Sequence, residues 1–378
     1  MKKCVVVSDS FKGTVSSCEI CAIAQRVIPR HFPACEVVCI PVADGGEGTV
    51  DCFVQAMGAQ RVEITVTNAL GEKSAAAYAR LGELAIIEMA AAAGLPQVGE
   101  RRCPGTATTY GVGELIAHAV DSGCGKILLG LGGSATNDGG CGCAAALGVG
   151  FLDADGQSFV PVGDTLGRIA RIDTAEAEAL LRSVEITVMC DVTNPLYGPT
   201  GAAYVFAPQK GADAEKVKSL DAGLRHFGDV IRSQYGLDVS AMPGAGAAGG
   251  MGAGCVALLG GTIQSGIDAV LDVTGFDRQL EGADLVITGE GRIDSQSADG
   301  KVVSGVARRT RAKGVPLIAI AGGIADSAGA VYDIGVSAMF STDRAALPVD
   351  MLGARSPGDY EATLSDIMSL IAIAERFA

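Results

Sequence analysis

Five short apolar runs of this chain each end abruptly at a cluster of glycine, carboxylate and hydroxyl residues. Short apolar runs bounded by turn residues are typical of buried strands. The clusters begin at Ser8, Asp44, Ser134, Asp191 and Gly289. Parallel strands bring their carboxyl ends to one edge of a sheet, where the following loops bind ligands. The pattern therefore predicts an α/β enzyme whose strand-end loops bind charged small molecules and a metal ion.

The composition indicates a large aliphatic core in a multidomain chain. Its 378 residues correspond to two or three domains. The chain is 48% hydrophobic but only 4% aromatic. Ala, Val, Ile and Leu must therefore fill most of the core, as they do around buried parallel sheets.

The charge of the chain argues against two classes of partner. A net charge of −14 would repel the phosphates of nucleic acids and of anionic membranes. Asp9 interrupts the N-terminal apolar run before it reaches the roughly 7–15 residues that a signal peptide needs. The uncharged stretch at 241–267 is rich in glycine and contains Pro243, so it is interpreted as buried loop and helix. We expect a cytoplasmic protein that binds neither nucleic acid nor membrane.

The twelve cysteines are predicted to be reduced thiols, because disulfide frameworks are typical of small secreted domains. Cys18 and Cys21 lie in a helical pattern, and Cys35 and Cys39 accompany a strand pattern. Structural zinc sites usually take their ligands from tight turns. These four residues are therefore interpreted as small buried hydrophobic side chains.

The N-terminal segment has the pattern of a βαβ unit. Strands are predicted at 3–8 and 36–42, with an amphipathic helix over 14–28 between them. Such a unit places its two strands parallel, with a right-handed crossover. The same alternation returns after residue 283 and ends with a helix at about 358–376.

The middle of the chain begins with a different pattern. Between about 62 and 89, short apolar segments are separated by glycine turns, which predicts hairpins and antiparallel strands. We therefore predict two α/β domains. Residues 1–70 and 284–378 form a doubly wound, mostly parallel Rossmann- or flavodoxin-like domain, and residues 71–283 form an inserted mixed α/β domain.

Glycine motifs leave the type of phosphate site open. No sequence of the form G-x4-G-K-[ST] occurs, which argues against a P-loop NTPase. Gly244, Gly246 and Gly249 form G-x-G-x-x-G, but they follow a weak strand pattern that ends at Pro243. A dinucleotide site needs a firm strand at that point. Close approach of these glycines to phosphate or substrate and tight helix packing are the two other interpretations.

Ser10 and Lys12 lie where a helix is predicted to begin. The free N–H groups of a helix N-terminus attract anions, and the lysine adds a positive charge. The two residues therefore predict a phosphate contact. The alternative is an N-cap serine beside a surface lysine.

Three aspartates, Asp44, Asp191 and Asp294, follow predicted strands. Mg²⁺ prefers one or two carboxylates together with phosphate oxygens. A hydroxyl that attacks a phosphoryl group also needs a carboxylate to orient it and take its proton. The alternative is that each aspartate caps a turn or a helix. The residues alone do not decide which aspartate has which role.

Longer motifs resemble the bacterial glycerate kinase family over essentially the whole chain and in the same order. They are DSFKGT at 9–14, PVADGGEGT at 41–49, TTYGVGELI at 108–116, GLGGSATNDGG at 130–140, CDVTNPLYGPTGAAYVFAPQKGA at 190–212, PGAGAAGGMGAG at 243–254 and ITGEGRIDSQSADGK at 287–301. Ala207, Ser297 and Val303 depart from the family pattern without removing a charged group.

The resemblance implies ATP-dependent, Mg²⁺-assisted phosphorylation of D-glycerate to 2-phosphoglycerate, with the active site in the cleft between the two domains. Its ligands would be D-glycerate, ATP and Mg²⁺. Whether the protein forms a homo-oligomer stays open. Three alternatives also remain: the same kinase giving 3-phosphoglycerate, an NAD-dependent hydroxy-acid dehydrogenase, and a sensor of small carboxylates.

The resemblance and the strand-end positions also imply residue roles. Asp191 or Asp44 would take the proton of the attacking hydroxyl, and Lys12 would neutralise phosphate charge. Asp294 and Glu290 would hold Mg²⁺. The residues expected to bind substrate or phosphate are Ser10, Lys210, Lys301, Gly132, Gly133, Ser134, Asn137, Asp138, Gly246 and Gly249.

Overall fold

The computed structural model describes residues 1–11, 14–42, 48–298, 302–345 and 353–377. The described strands are β1 (Lys3–Ser8), β2 (Glu36–Cys39), β3 (Gln60–Thr67), β4 (Lys73–Leu81), β5 (Leu84–Glu88), β6 (Lys126–Gly130), β7 (Gly150–Leu152), β8 (Arg171–Asp173), β9 (Glu185–Met189), β10 (Thr262–Gln264), β11 (Leu285–Ile293), β12 (Leu317–Ile324) and β13 (Ala338–Ser341).

The described α-helices are α1 (Ser17–His31), α2 (Thr49–Met57), α3 (Ala90–Ala93), α4 (Leu95–Val98), α5 (Tyr110–Asp121), α6 (Cys141–Ala146), α7 (Ala175–Leu181), α8 (Ala202–Phe206), α9 (Ala214–Tyr235), α10 (Ala247–Leu259), α11 (Gly266–Val273), α12 (Phe276–Gln279), α13 (Val302–Lys313), α14 (Ala330–Ile334) and α15 (Ser356–Ala374). A short 3-10 turn, Pro208–Lys210, links α8 to the segment before α9.

The chain divides into two compact units. Unit 1 contains Met1–Ala43, Cys52–Gly58 and Val270–Ala378, and unit 2 contains Asp44–Asp51 and Ala59–Ala269. Strand β3 follows α2 in the chain, but it pairs along its whole length with β4. The division therefore falls before β3, whereas the boundary predicted from the sequence falls after it.

Unit 1 is built on a five-stranded sheet with the order β13-β12-β11-β1-β2. All neighbouring strands in this sheet are parallel, as predicted for a sheet assembled from both ends of the chain. Counted along unit 1, the order is that of flavodoxin-like folds, which bind ligands where the strand order reverses. That point lies between the carboxyl ends of β1 and β11.

Helix α1 begins at Ser17 rather than near residue 14. Before it, the amide of Phe11 donates to the carbonyl of Val15 at 2.7 Å. Ser16 and Glu19 form the capping box of the helix. Phe11 itself is buried and packs edge-on against Tyr360. Ser10 therefore does not lie at a helix N-terminus, and that part of the prediction is wrong.

Cys18 in α1 and Cys52 in α2 form a disulfide, with Cα atoms 5.4 Å apart. The prediction of reduced thiols is therefore wrong for this pair. The two helices bring together positions that are 34 residues apart, a proximity that the sequence pattern does not reveal. The other described cysteines are free, and most of them are buried.

Unit 2 is built on a six-stranded mixed sheet with the order β10-β9-β6-β5-β4-β3. Strands β5, β6, β9 and β10 are parallel, while β3, β4 and β5 form an antiparallel meander. The predicted hairpins and the mixed α/β class are therefore confirmed. Three aromatic residues of this unit, Tyr78, Phe151 and Phe227, are buried in its core.

A left-handed turn lies at the start of α10. Ala248, Gly249 and Gly250 have φ of 52°, 69° and 91°, and Ala248 is the sole non-glycine residue with positive φ in the part of the chain described. A Cβ atom at Gly249 would lie 2.2 Å from the carbonyl oxygen of Thr136 and 2.5 Å from the Cα of Asn137. Glycine is therefore required at Gly249 by packing, whereas Ala248 is strained.

None of the described helices combines the length and the apolar character that crossing a bilayer requires.

The left-handed turn gives a pair of opposite stability predictions. Ala248→Gly should stabilise the protein by about 0.5–1 kcal/mol, since relief of roughly 1–2 kcal/mol of left-handed strain exceeds the added chain entropy. Gly249→Ala should destabilise it by about 2 kcal/mol or more, because its Cβ meets rigid backbone. Urea unfolding followed by far-UV circular dichroism measures both. A lower midpoint for Ala248→Gly would contradict the assigned strain.

Candidate active site

Four strand ends of unit 2 lie level with one another. Glu88 at the end of β5 pairs with Gly130 at the end of β6, and Gly130 pairs with Met189 at the end of β9. Met189 in turn pairs with Gln264 at the end of β10. The loops that follow β5, β6, β9 and β10 therefore begin at one edge of the sheet, as the sequence predicts for a ligand site.

Lys210 is buried beneath the loop after β6. Its Nζ donates to Ser134 Oγ and to the carbonyl of Thr136, both at 2.7 Å. Burial lowers the pKa of Lys210 to about 7, and the nearby Asp138 acts against this shift. The sequence placed Lys210 on substrate or phosphate, but its direct contacts are with the loop that carries Ser134.

Asp138 holds this loop in place. Its fully buried carboxylate accepts hydrogen bonds from the amide and the hydroxyl of Thr109, both at 2.8 Å. It also accepts from the amides of Gly140 and Gly142. Burial raises the pKa of Asp138, while these hydrogen bonds act to lower it. The hydrogen bonds of this carboxylate are therefore with the protein itself. A contact with substrate, which the sequence predicted, does not fit a carboxylate that is so enclosed.

Asn137 is fully buried next to Asp138. Neither Oδ1 nor Nδ2 of its side chain has a hydrogen-bond partner among the described residues, and the same holds for the hydroxyl of Thr136. Buried polar groups are nearly always paired, and exceptions concentrate where a protein works. The predicted role of Asn137 in ligand binding therefore stays a prediction, now with a structural reason.

Gly246 and Gly249 are buried against the protein itself. A Cβ atom at Gly246 would lie 2.2 Å from the carbonyl oxygen of Pro195, just as one at Gly249 would meet the loop of Thr136. Their glycine identity is thus explained by tight packing, which is one of the interpretations left open by the sequence. The motif that contains them follows α9 rather than a strand, so it lacks the context of a dinucleotide site.

Gly132 and Gly133 lie nearer the surface, Gly132 half-buried and Gly133 exposed. The carbonyl of Gly133 accepts from the amide of Leu95, and the amide of Ala135 donates to the carbonyl of Ala93, both at 2.8 Å. The backbone on either side of Ser134 is therefore fixed.

Asp191 follows β9 and is exposed. Its Oδ1 accepts a hydrogen bond from the amide of Gly266, the first residue of α11, at 2.8 Å. This contact orients the carboxylate at the sheet edge. It is the helix-capping role that the sequence allowed, and it is compatible with proton transfer at an exposed oxygen.

Glu88 is a residue that the sequence reasoning missed. It is buried at the end of β5, and its Oε1 accepts from the amide of Val50 in the first turn of α2 at 2.6 Å. A carboxylate at the end of an apolar strand is the signal that singled out Asp191, and the segment LAIIE carries the same signal.

In unit 1, Ser10 lies beyond β1 at the point where the strand order reverses. The amide of Asp9 donates to the carbonyl of Gly289 at 2.9 Å, and Asp9 Oδ1 accepts from the amide of Ser10 at 2.7 Å. A Cβ atom at Gly289 would lie 2.0 Å from the carbonyl oxygen of Ile320. Backbone of three segments is thus packed closely at this edge of the sheet, where ligands bind in such folds.

The two predicted metal ligands lie on one strand segment. Glu290 is buried within β11, and Asp294 follows the strand, half-buried, with Oδ1 accepting from the amide of Gln296. Extended backbone rises about 3.3 Å per residue, so the two Cα atoms are roughly 10 Å or more apart. Mg²⁺ held by one carboxylate and phosphate oxygens therefore fits this segment better than Mg²⁺ shared by both. Lys12, Asp44 and Lys301, also predicted for the site, lie outside the described residues.

The parallel sheet of unit 1 and the mixed sheet of unit 2, with carboxylates in the loops that follow their strands, are typical of an α/β enzyme. The glycerate kinase family matches residues 4–372. The chain is 44% identical over 377 residues to a glycerate kinase of Bacillus cereus, covering 99% of each chain. It is 44% identical over 343 residues to glycerate 2-kinase of Escherichia coli K12, covering 90% of each.

A crystal structure described as glycerate kinase 2 of Salmonella typhimurium LT2 matches the fold with a TM-score of 0.85. That chain is 38% identical, and the match covers 99% of both chains. The protein belongs to the glycerate kinase family and is a kinase. The resemblance inferred from its motifs is confirmed.

The buried Lys210 predicts a pH dependence of stability. The pKa of Lys210 falls from 10.5 to about 7 on folding, so the unfolded chain binds more protons between these values. The penalty for burying the charge is therefore complete below pH 7 and is relieved as the pH rises, by at most about 1.4 kcal/mol per pH unit.

Urea unfolding of the wild type and of Lys210→Met between about pH 6 and pH 9 tests this effect. The wild type should gain stability relative to the variant as the pH rises above 7. Lys218→Met, which removes an exposed lysine of α9, is the control and should show no such trend. Parallel curves for wild type and Lys210→Met would contradict the depressed pKa.

Proposed function

We propose that this protein transfers the γ-phosphoryl group of ATP to O2 of D-glycerate, giving 2-phospho-D-glycerate and ADP. The observation that carries the proposal is the 44% identity to glycerate 2-kinase of Escherichia coli over 90% of both chains. The level strand ends of unit 2, with Asp191 among their loops, support it as a site for a small anion and its hydroxyl.

The chemical step requires little covalent work from the protein. The O2–H proton passes to a carboxylate as O2 forms a bond to the γ-phosphorus, and the bond to the β–γ bridging oxygen breaks with its electrons leaving on ADP. Of the two candidate proton acceptors, Asp191 lies among the residues that the structure describes. Its capping contact with Gly266 holds the carboxylate in one orientation. Asp44 is the alternative acceptor.

The phosphates of ATP need positively charged groups to bind them. We assign Lys12 and Lys301 to them, together with Ser10 at the reversal of strand order in unit 1. Mg²⁺ would be held by Glu290 or Asp294 with phosphate oxygens, and when bound it neutralises charge on the β- and γ-phosphates.

The first experiment is ³¹P NMR of the purified protein with D-glycerate, ATP and Mg²⁺. We expect a phosphomonoester signal of 2-phosphoglycerate, absent when glycerate is omitted. A signal of 3-phosphoglycerate would support the kinase activity but contradict phosphorylation at O2. Absence of any phosphoester from folded protein would favour the carboxylate sensor, and reduction of NAD by glycerate would favour the dehydrogenase.

The role of Asp191 predicts a large loss of turnover in Asp191→Asn. The amide oxygen of Asn can still accept from Gly266, so the fold is kept while the base is lost, and kcat should fall by about 10²–10⁴. Asp238→Asn is the matched control, because Asp238 is an exposed turn residue that accepts from Ser240. A loss of only a few fold after replacing both Asp44 and Asp191 would contradict the proton-acceptor assignment.

A further inference from the structure

The ammonium of Lys210 is held by neutral groups. Its two hydrogen bonds go to the hydroxyl of Ser134 and the carbonyl of Thr136. The charged group that acts on it is Asp138, whose carboxylate is engaged by Thr109 and by two backbone amides. A buried ammonium without a carboxylate in direct contact costs free energy, so its retention needs a reason beyond packing.

The contact with Ser134 fixes the direction of the serine proton. An ammonium has only donors, so Ser134 Oγ must accept from Lys210 and its own O–H must point elsewhere. Within the described ranges, no residue accepts a hydrogen bond from this hydroxyl. The backbone hydrogen bonds of Gly133 and Ala135 hold the residue rigidly, and Gly133 beside it is exposed.

We propose that the Ser134 hydroxyl is an oxyanion contact of the kinase site and that Lys210 is the positioning residue that orients and polarises it. The inference rests on the proposed function. The ligand group is an oxyanion that accepts one hydrogen bond, either the carboxylate of glycerate or a phosphate of ATP.

Lys210 acts through Ser134 because it lies behind the loop. Lys210 is only 3% exposed, and the loop residues Ser134 and Thr136 accept hydrogen bonds from two of its three donors. Hydrogen bonds in a chain strengthen one another, most of all when one donor is charged. The buried charge thus reaches the anion through one hydroxyl, and the ammonium itself stays out of water.

A double-mutant cycle in steady-state kinetics tests the proposal. The assay is run at about pH 6, below the Lys210 pKa of about 7, so that the side chain is an ammonium. Ser134→Ala and Lys210→Met should each raise the KM of one substrate about tenfold while kcat changes less than about threefold. The double variant should be no worse than the more affected single variant, since both changes remove one contact.

The substrate whose KM rises identifies the anion: glycerate for the carboxylate, ATP for the phosphate. Ser134→Thr keeps a hydroxyl, so its KM should be much closer to that of the wild type than the KM of Ser134→Ala. If Lys210 had a purely structural role, the KM would not depend on whether residue 134 carries a hydroxyl. Lys218→Met is the control with unchanged KM. If Lys210→Met does not fold by circular dichroism, Lys210→Gln takes its place in the cycle.

If the two single-variant increases in KM multiply to about a hundredfold in the double variant, Lys210 does not act through Ser134. Lys210 would then be an independent contact. An unchanged KM for both substrates in Ser134→Ala would overturn the oxyanion contact. These outcomes are read in wild-type protein that phosphorylates glycerate. Wild-type protein without that activity would overturn the proposed function itself, and the inference with it.

Discussion

One buried carboxylate, that of Asp138, determines the conformation of the loops around it. Its oxygens accept from Thr109 at the start of α5 and from Gly140 and Gly142 at the start of α6. The hydroxyl of Thr109 accepts in turn from the amide of Cys143. The loop after β6 is therefore tied at both ends, and the contacts of Lys210 and the packing of Gly249 depend on its position. A charge this enclosed is tolerable because four hydrogen bonds are donated to it.

The protein as a whole is acidic, yet its proposed ligands are anions. Binding such ligands requires positive charge where they bind, and phosphoryl transfer depends mainly on charge arranged in advance. In unit 2 we propose that the ammonium of Lys210 supplies this charge through its contacts with Ser134 and the carbonyl of Thr136. Strain at Ala248 and the unpaired amide of Asn137 lie on the neighbouring turn and loop. Costly features are thus concentrated around one short loop, as is typical of functional sites.

Much of this architecture could be predicted because strands of buried sheets are short apolar runs and because glycine residues mark the turns of hairpins. The start of α1 was missed, since only the fold brings Phe11 to Tyr360. Gly249 could not be distinguished as a packing glycine before its neighbour Thr136 was known. The contact of Lys210 with Ser134 joins positions 76 residues apart, and no local pattern encodes it. Sequence reasoning placed loops at the strand ends of unit 2, but it did not show which side chains of those loops face inward.

The strand order of unit 1 has a consequence for synthesis on the ribosome. Cys4 of β1 pairs with Leu285 of β11, so the first strand of the chain emerges long before its central neighbour is translated. The segment of unit 2 lies between them and can complete its own sheet first, since domains fold as units during translation. Until β11 appears, the edge of β1 presents unpaired backbone groups, which are a template for wrong pairing. Nascent chains that stall before residue 285 should therefore depend most on chaperones.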